Sequence, residues 1–484
     1  MTRYLLRGVA PLGGDAVDVL LADGVIAAVR SCDFAQDDKT NFAQDDRLGS
    51  QVGELDASSA IARFELSSCA ERSGVAGSPT SPDDVVVIDG AGMVLLSGLV
   101  DLHTHLREPG REDAETVESG TRAAAAGGFT AVHAMANTSP VADTAGVVEQ
   151  VARLGEEAGW VDVFPIGAVT VGLEGERLAE LGAMADSRAR VRVFSDDGMC
   201  VHDPVLMRRA LEYVKAFDGV IAQHAQEPRL TDGAQMHEGA VSADIGLAGW
   251  PAVAEEAIIA RDVLLAEHVG SRLHVCHLST RGSVEIVRWA KSRGIDVTAE
   301  VTPHHLLLID ELARGYNPLF KVNPPLRTAD DVEAVREGLA DGTIDIVATD
   351  HAPHPVEDKD CEWAAAAFGM TGLETALSVV QATMVDTGRM TWVDVARVMS
   401  TKPAEIGRVA DRHGRPIQVG EPANLVLVDP TATTVVDGAT QQTASLNTPF
   451  TGRTLPGRVV ATFLRGRATV LDGAPTQHST IQES

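Results

Sequence analysis

Between residues 98 and 354 the chain repeats one rhythm, a short β-branched or apolar run followed by a helical stretch. The runs are GLVDLHTH, GFTAVHAM, VDVFPIGAVT, RVRVFSDDG, GVIAQHA, RLHVCHLS, IDVTAEVT and IDIVATDHAPH. Intervening segments such as ETVESGTRAAAAGG and SVEIVRWAKSRG repeat their apolar residues at helical spacing. Strand–helix units in this number, over roughly 250 residues, fit a (β/α)8 TIM barrel. The competing arrangement, an open doubly wound sheet, rarely needs so many.

The flanks differ in character. The first thirty residues alternate apolar and polar positions between glycine-rich breaks (YLLRGVA, DVLLADGVIAAVR), a pattern of short strands. From 31 to 84 the chain turns Ser-, Asp-, Gln- and Gly-rich and carries a near-duplicate, DFAQDDK (33–39) and NFAQDDR (41–47). That repeat is too short and too polar for a solenoid, so 31–84 is predicted to be a disordered insertion between strands. Strands resume at VVVIDGAGMVLLSGLVDLH. After residue 391 a helical stretch (VDVARVMSTKPAEIG) leads to further strands at ANLVLVDP and RVVATFLRGRATVLDG. The expected α/β layout is therefore a small β-sandwich formed by both chain ends (1–97 and 419–484), a barrel over 98–390, and a helical connection over 391–418.

Composition narrows the function. Aromatics make up 4% of the chain, so the core must rest on Ala, Val, Leu and Ile. No apolar run approaches the roughly 18–20 residues of a membrane span, and the start lacks the apolar stretch of an export signal. A cytoplasmic protein with no membrane partner is expected. The formal net charge of −29 argues against nucleic-acid partners. It also means that an anionic substrate would need a locally positive site, which bound metal can supply. The five cysteines (Cys32, Cys69, Cys200, Cys276 and Cys361) are widely spaced without a CxxC pair, so free thiols are expected.

In barrel enzymes the reacting groups stand at the C-terminal ends of strands. Here those ends carry His103 and His105, Asp196 and Asp197, His224, His277 and Asp350. An HxH pair on a strand turns both imidazoles to one face, where they can share a divalent cation. Two further histidines could hold a second cation, and a carboxylate could bridge the two. Nitrogen and oxygen donors favour zinc, with cobalt or manganese as substitutes. A lone buried histidine is more often a hydrogen-bonded core residue, and DD is usually a turn. Metal-capable residues at five of eight strand ends carry the argument. His133, inside its strand, is expected to be structural. His202, His237, His268, His274, His413 and His478 have no comparable placement, while His304 and His305 could shape the pocket without serving as ligands.

The motifs HTHLREPG (103–110), AMANT (134–138), SDDG (195–198), HVCHLSTRGS (274–283), AEVTPHH (299–305), KVNPPLR (321–327), ATDHAPH (348–354) and FGMTGLE (368–374) occur in that order, with NTPF (447–450) near the end. Together they resemble the bacterial class I dihydroorotases of the amidohydrolase superfamily, from about Gly92 to Phe450 and more weakly through both ends. The resemblance implies a hydrolase of cyclic amides that reversibly closes N-carbamoyl-L-aspartate to (S)-dihydroorotate and water in pyrimidine biosynthesis. It implies two zinc ions, one on His103 and His105 and one on His224 and His277, with Asp197 bridging. Asp350 would be both ligand and general acid/base, working with a hydroxide generated between the metals. Substrate contacts would come from His105, Arg107, Asn137, Asn323, His354 and the backbone at Phe368 and Gly369, with His354 able to carry charge. The implied partners are the small anionic substrate, a second copy in a homodimer, and, as an open association, aspartate transcarbamoylase.

The bridging position matches the class I enzymes within the wider superfamily. Ala136 and the 31–84 insertion depart from the family's pattern; the insertion lies outside the barrel and is expected to affect catalysis little. Many amidohydrolases bridge their metals with a carboxylated lysine, where SDDG offers aspartate; by its distance to His224, Asp197 fits the bridge better than Asp196. AMANT carries Ala136 where the family usually has proline, which would loosen the turn before Asn137. The segment 355–367 is expected to act as a lid. The rival readings are a hydantoinase or allantoinase on the same barrel, and a non-catalytic scaffold for aspartate transcarbamoylase. The intact set of six metal positions argues against the scaffold.

Overall fold

The computed structural model describes residues 2–32 and 85–476. Apart from Ser31 and Cys32, the expected insertion 31–84 lies outside the described residues, as does Cys69. Strands β1 (Arg3–Pro11), β2 (Val17–Ala22) and β3 (Val25–Ser31) form an antiparallel meander. β4 (Val85–Asp89) and β5 (Val94–Ser97) both run parallel to β1. The barrel strands follow: β6 (Leu99–Thr104), β7 (Phe129–Ala134), β8 (Asp162–Pro165), β9 (Val193–Phe194) and β10 (Val220–Gln223). A small pair, β11 (Met236–His237) and β12 (Gly249–Trp250), precedes β13 (Leu273–Val275), β14 (Val297–Val301) and β15 (Ile346–Val347). The last strands are β16 (Leu425–Val435), β17 (Thr454–Leu464), β18 (Arg467–Leu471) and β19 (Ala474–Pro475).

All eight runs read from the sequence become parallel strands of one ring. β6–β7–β8 and β9–β10–β13–β14–β15 are continuous. The bridge Gly167↔Phe194 joins β8 to β9, and Thr104↔His351 joins β6 to the end of β15. Inside the ring, Leu102, Met135, Ile166, Val193, Val220, Ala222, Cys276, Ile346 and Ala348 pack as one buried cluster, joined by Ile406 from the helix Lys402–Ile406. Short aliphatic side chains fill the narrow lumen, as inward-pointing barrel residues do.

The two chain ends build one sheet, because β5 pairs with β16 and carries the N-terminal strands alongside β17, β18 and β19. Alternate residues of β1, β2, β16 and β17 (Leu6, Val19, Leu21, Leu425, Leu427, Ala461 and Phe463) form its buried core, with Tyr4 edge-on to Phe463 at 5.1 Å. Cys200, Cys276 and Cys361 are free thiols. Among the described residues no helix is long and apolar enough to cross a membrane.

The turn into β7 shows how tightly the barrel is packed. The helix Val117–Ala126 is capped reciprocally by Thr116 and Ser119 and ends at Gly127. A Cβ on Gly127 would lie 2.2 Å from the Leu373 carbonyl oxygen. Gly127→Ala is therefore expected to destabilise the protein by about 1–3 kcal/mol. The check is a lowered denaturant midpoint, with activity per folded molecule retained.

Candidate active site and metal centre

The sequence-predicted donors meet at the C-terminal mouth of the barrel. The Asp197 carboxylate stands among four imidazoles. Its Oδ1 lies 3.3 Å from His103 Nε2, His224 Nδ1 and His277 Nε2, and its Oδ2 lies 3.3 Å from His105 Nε2. Asp350 Oδ1 is 3.2 Å from His105 Nε2 and 3.5 Å from His103 Nε2. His224 Nδ1 and His277 Nε2 approach to 2.8 Å. All six residues are buried. Two donors on one tetrahedral zinc, each about 2.0–2.1 Å from it, lie about 3.3–3.4 Å apart. Most of the donor separations here match that edge, and His103 with His105 and Asp350, and His103 with Asp197 and His277, form compact triads.

The outward-facing nitrogens explain why lone pairs point inward. His103 Nδ1–H donates to Glu300 Oε1 at 2.6 Å, His105 Nδ1–H to Asn137 Oδ1 at 2.9 Å, and His224 Nε2–H to Gln226 Oε1 at 2.7 Å. The opposite nitrogen of each ring is then an acceptor aimed at carboxylates, and His103 Nε2 is buried without a hydrogen-bond donor. Acceptors facing acceptors repel unless a cation lies between them. The titration tendencies agree in direction. Burial favours neutral Asp350, yet His103, His105 and His277 hold its carboxyl down at about 2. Burial likewise favours neutral His103, but the carboxylates of Asp197, Glu300 and Asp350 push it well above its usual range. The cluster demands positive charge, and the donor set fits a two-metal site.

Asp196 does different work from its neighbour. Its Oδ1 accepts from the Val169 and Thr170 amides at 2.7 and 3.0 Å, and its Oδ2 from the Thr170 hydroxyl. It ties the end of the fourth barrel strand to the third, which leaves Asp197 to face the imidazoles. His277 and Asp350, with φ of 31° and 46°, adopt left-handed backbone, as does Arg107 at 62°. Such conformations in non-glycine residues gather where a side chain must be aimed.

Arg107 is half-buried, and its Nε donates to the Pro353 carbonyl at 3.0 Å. Among the described residues Arg107 forms no ion pair with a carboxylate, and its Nη2 lies 3.4 Å from His354 Nε2. His354 differs from expectation. Burial, with Arg107 and Lys359 nearby, lowers it to about 3, so the ring is neutral and its Nε2–H donates to the Phe368 carbonyl at 2.8 Å. Gly369 has φ of 144°, and a Cβ there would meet His354 Nε2 at 2.7 Å; its own amide donates to Lys321 O at 3.0 Å. Asn323 Nδ2 donates to Gln226 Oε1 at 3.1 Å, while its Oδ1 is buried and unpartnered. Ala136 is buried, and its carbonyl accepts from the Ala142 amide at 3.0 Å across the turn that contains Asn137. Within 355–367, Lys359 Nζ donates to the carbonyls of Lys321 and Ala367, and Lys321 Nζ to those of Trp363 and Ala364, stitching the segment to the chain before Asn323.

Sequence reasoning missed Glu300 and Gln226, and it gave no role to His274. Glu300 Oε1 also accepts from the His277 amide at 3.2 Å, and its Oε2 from His274 Nε2 at 3.0 Å. One buried carboxylate thus orients an imidazole of one pair and the backbone of the other. Glu300→Ala is expected to weaken divalent-metal affinity about 10–100-fold. Competition with a chelating dye measures it, and unchanged affinity would remove Glu300 from this role.

A family model described as Dihydro-orotase-like matches residues 92–283. A dihydroorotase of Streptomyces coelicolor is 64% identical over 98% of this chain and 100% of its own length. One from Leifsonia xyli is 74% identical over 80% of this chain and 88% of its own, and one from Mycobacterium tuberculosis 53% over 97% and 98%. Among solved structures, an L-hydantoinase (dihydropyrimidinase) from Arthrobacter aurescens superposes with a TM-score of 0.77 over 99% of this chain and 98% of that one, at 24% identity. That likeness speaks for the fold. The identity along whole curated sequences speaks for more: this chain belongs to the dihydroorotase family.

Proposed function

We propose that the chain catalyses the reversible closure of N-carbamoyl-L-aspartate to (S)-dihydroorotate and water, with two zinc ions held by His103, His105, Asp197, His224, His277 and Asp350. The observation that carries this reading is the 64% identity to a dihydroorotase over the whole of that protein's length. The hydantoinase likeness, at 24%, is shared by the fold.

His103 and His105 would hold one cation, His224 and His277 the other, with Asp197 between them. A metal pair held by these residues would supply Lewis-acid polarisation and lower the pKa of a water toward neutrality. Asp350, turned toward the cluster by its left-handed backbone, takes a proton on its carboxylate in ring opening and returns it to the departing ring nitrogen. In ring closure it removes a proton from the ureido nitrogen as that nitrogen attacks the side-chain carboxylate carbon, and passes it to the carboxylate oxygen, which departs as hydroxide when the C–O bond breaks. Arg107, free of carboxylate partners, is placed to grip the substrate carboxylate in a bidentate pair. Asn137 Oδ1 accepts from the His105 Nδ1–H, which leaves its Nδ2 as a donor for substrate. Asn323 offers an unpartnered carbonyl oxygen, and His354, with the Phe368–Gly369 backbone, would line the substrate pocket beside Arg107. The segment 355–367 would exclude water; shortening it is expected to cut turnover.

Asp350→Asn is expected to lower kcat about 10²–10⁴-fold with metal content kept at two per chain, by turnover assay beside metal analysis. Arg107→Lys is expected to raise KM about 10–100-fold with a smaller change in kcat, from the ~1.5–3 kcal/mol of a charged hydrogen bond. Turnover of dihydroorotate against hydantoin and allantoin separates this reading from its neighbours. Preference for either of the latter, or activity in the fully chelated protein, would overturn it.

A further inference from the structure

The barrel has a second cavity, of about 370 Å³, at the end opposite the imidazole cluster. It lies where the third and fourth barrel strands begin, between Val161–Pro165 and Arg190–Val193, and the chain from Gly407 to Arg412 also lines it. Its lining contains six arginines, Arg188, Arg190, Arg192, Arg408, Arg412 and Arg465, against two carboxylates, Glu156 and Asp162. The whole chain has 40 basic and 69 acidic residues, so the cavity inverts the charge balance of the protein.

Asp162 is already neutralised, by Arg465 at 2.6 Å and His413 at 2.9 Å. Arg408 pairs at 2.6 Å with Asp218, and Arg412 lies 3.6 Å from Asp411 with its guanidinium 5.1 Å from the Phe164 ring centre. Arg188, Arg190 and Arg192 form no ion pair among the described residues. Arg192 spends its Nη1 on the carbonyls of Ala185 and Val191.

The backbone gives an independent observation. Arg190, Arg408 and Arg465 have φ of 51°, 61° and 49°, in the left-handed region that favours glycine. Twelve described non-glycine residues adopt positive φ. Three belong to the active site, Arg107, His277 and Asp350, and three are arginines of this one cavity. Glycine would be the easier residue at each of these turns, so the guanidinium groups are kept against local preference.

We propose that this cavity binds a small polyanion of the phosphate class, a molecule bearing a di- or triphosphate. Every cationic residue in the lining is an arginine and none a lysine; the planar fork matches phosphate oxygens two at a time. The volume falls in the range of small-molecule sites. The cavity is at the N-terminal ends of the strands and the metal centre at their C-terminal ends, so the polyanion and the substrate occupy separate sites.

The test is calorimetric titration of the full-length, metal-loaded protein with inorganic tripolyphosphate near physiological salt, alongside the Arg190→Gly, Arg408→Gly double variant. Glycine suits both backbones, so the variant should keep its thermal midpoint and its dihydroorotate turnover. One saturable site per chain, weakened at least tenfold in the variant, is the expected result. Equal affinity in both proteins, no saturable heat, or displacement of the probe by N-carbamoyl-L-aspartate would overturn the proposal; the last would place the anion at the metal centre.

Discussion

The first and eighth barrel strands meet through one buried carboxylate, Asp101, which reaches Thr349 across 248 positions of sequence. Asp101 Oδ1 accepts from the Thr349 amide at 2.9 Å, and its Oδ2 accepts from the Thr349 hydroxyl at 2.6 Å and from the Thr104 hydroxyl. Burial raises its pKa, but these donors oppose that. Next to this seam the His105 amide donates to the His351 carbonyl at 2.9 Å. His103 and His105 lie just beyond Asp101 on one side, and Asp350 just beyond Thr349 on the other. The separations among these three follow from how this seam closes. A shift of one residue in the pairing would turn the imidazoles toward the other face of the strand.

Much of this was legible in the sequence because it depends on short-range periodicity. Two histidines two positions apart on a strand must share a face, so HTH announced a paired donor before any fold was known. The eight strands were legible for the same reason, as were the two β-rich ends that join in one sheet. The choice of Asp197 over Asp196 rested on motif spacing, and the physical difference became visible only through Val169 and Thr170 of the neighbouring strand. What the sequence hid was the layer behind the ligands. Glu300 sits inside AEVTPHH, in the strand VTAEV beside a second polar residue, Thr298, and nothing local marks it as the partner of His103, His274 and His277. Gln226 follows His224 by two positions and looks like loop polarity. The neutral state of His354 was illegible too, because it depends on burial beside Arg107 and Lys359, which only the tertiary structure brings together.

The two ends of the barrel solve opposite electrostatic problems. At the C-terminal mouth, carboxylates and imidazole lone pairs converge, and the deficit is positive charge, which a metal ion can supply. At the N-terminal end, guanidinium groups converge, and the deficit is negative. Between them lies a buried apolar lumen, whose low dielectric screens charge poorly. The protein as a whole is strongly acidic, so the arginine-lined end is a local exception that the surrounding charge does not explain.

The pairing of β5 with β16 also bears on how the molecule is made. Ser97 and Leu425 are register partners, so the edge of β5 emerges from synthesis long before the strand that covers it. During that interval Val94, Leu95 and Leu96, all buried in the finished protein, belong to an unpaired apolar edge of the kind that recruits other chains. The barrel follows β5 directly and can form from segments made in the meantime. The sheet cannot be completed until the last strands leave the ribosome. Folding of the ends is therefore the slow, non-local event, and a chain truncated near its C-terminus would lose more than its final strands: it would leave its own beginning without a partner.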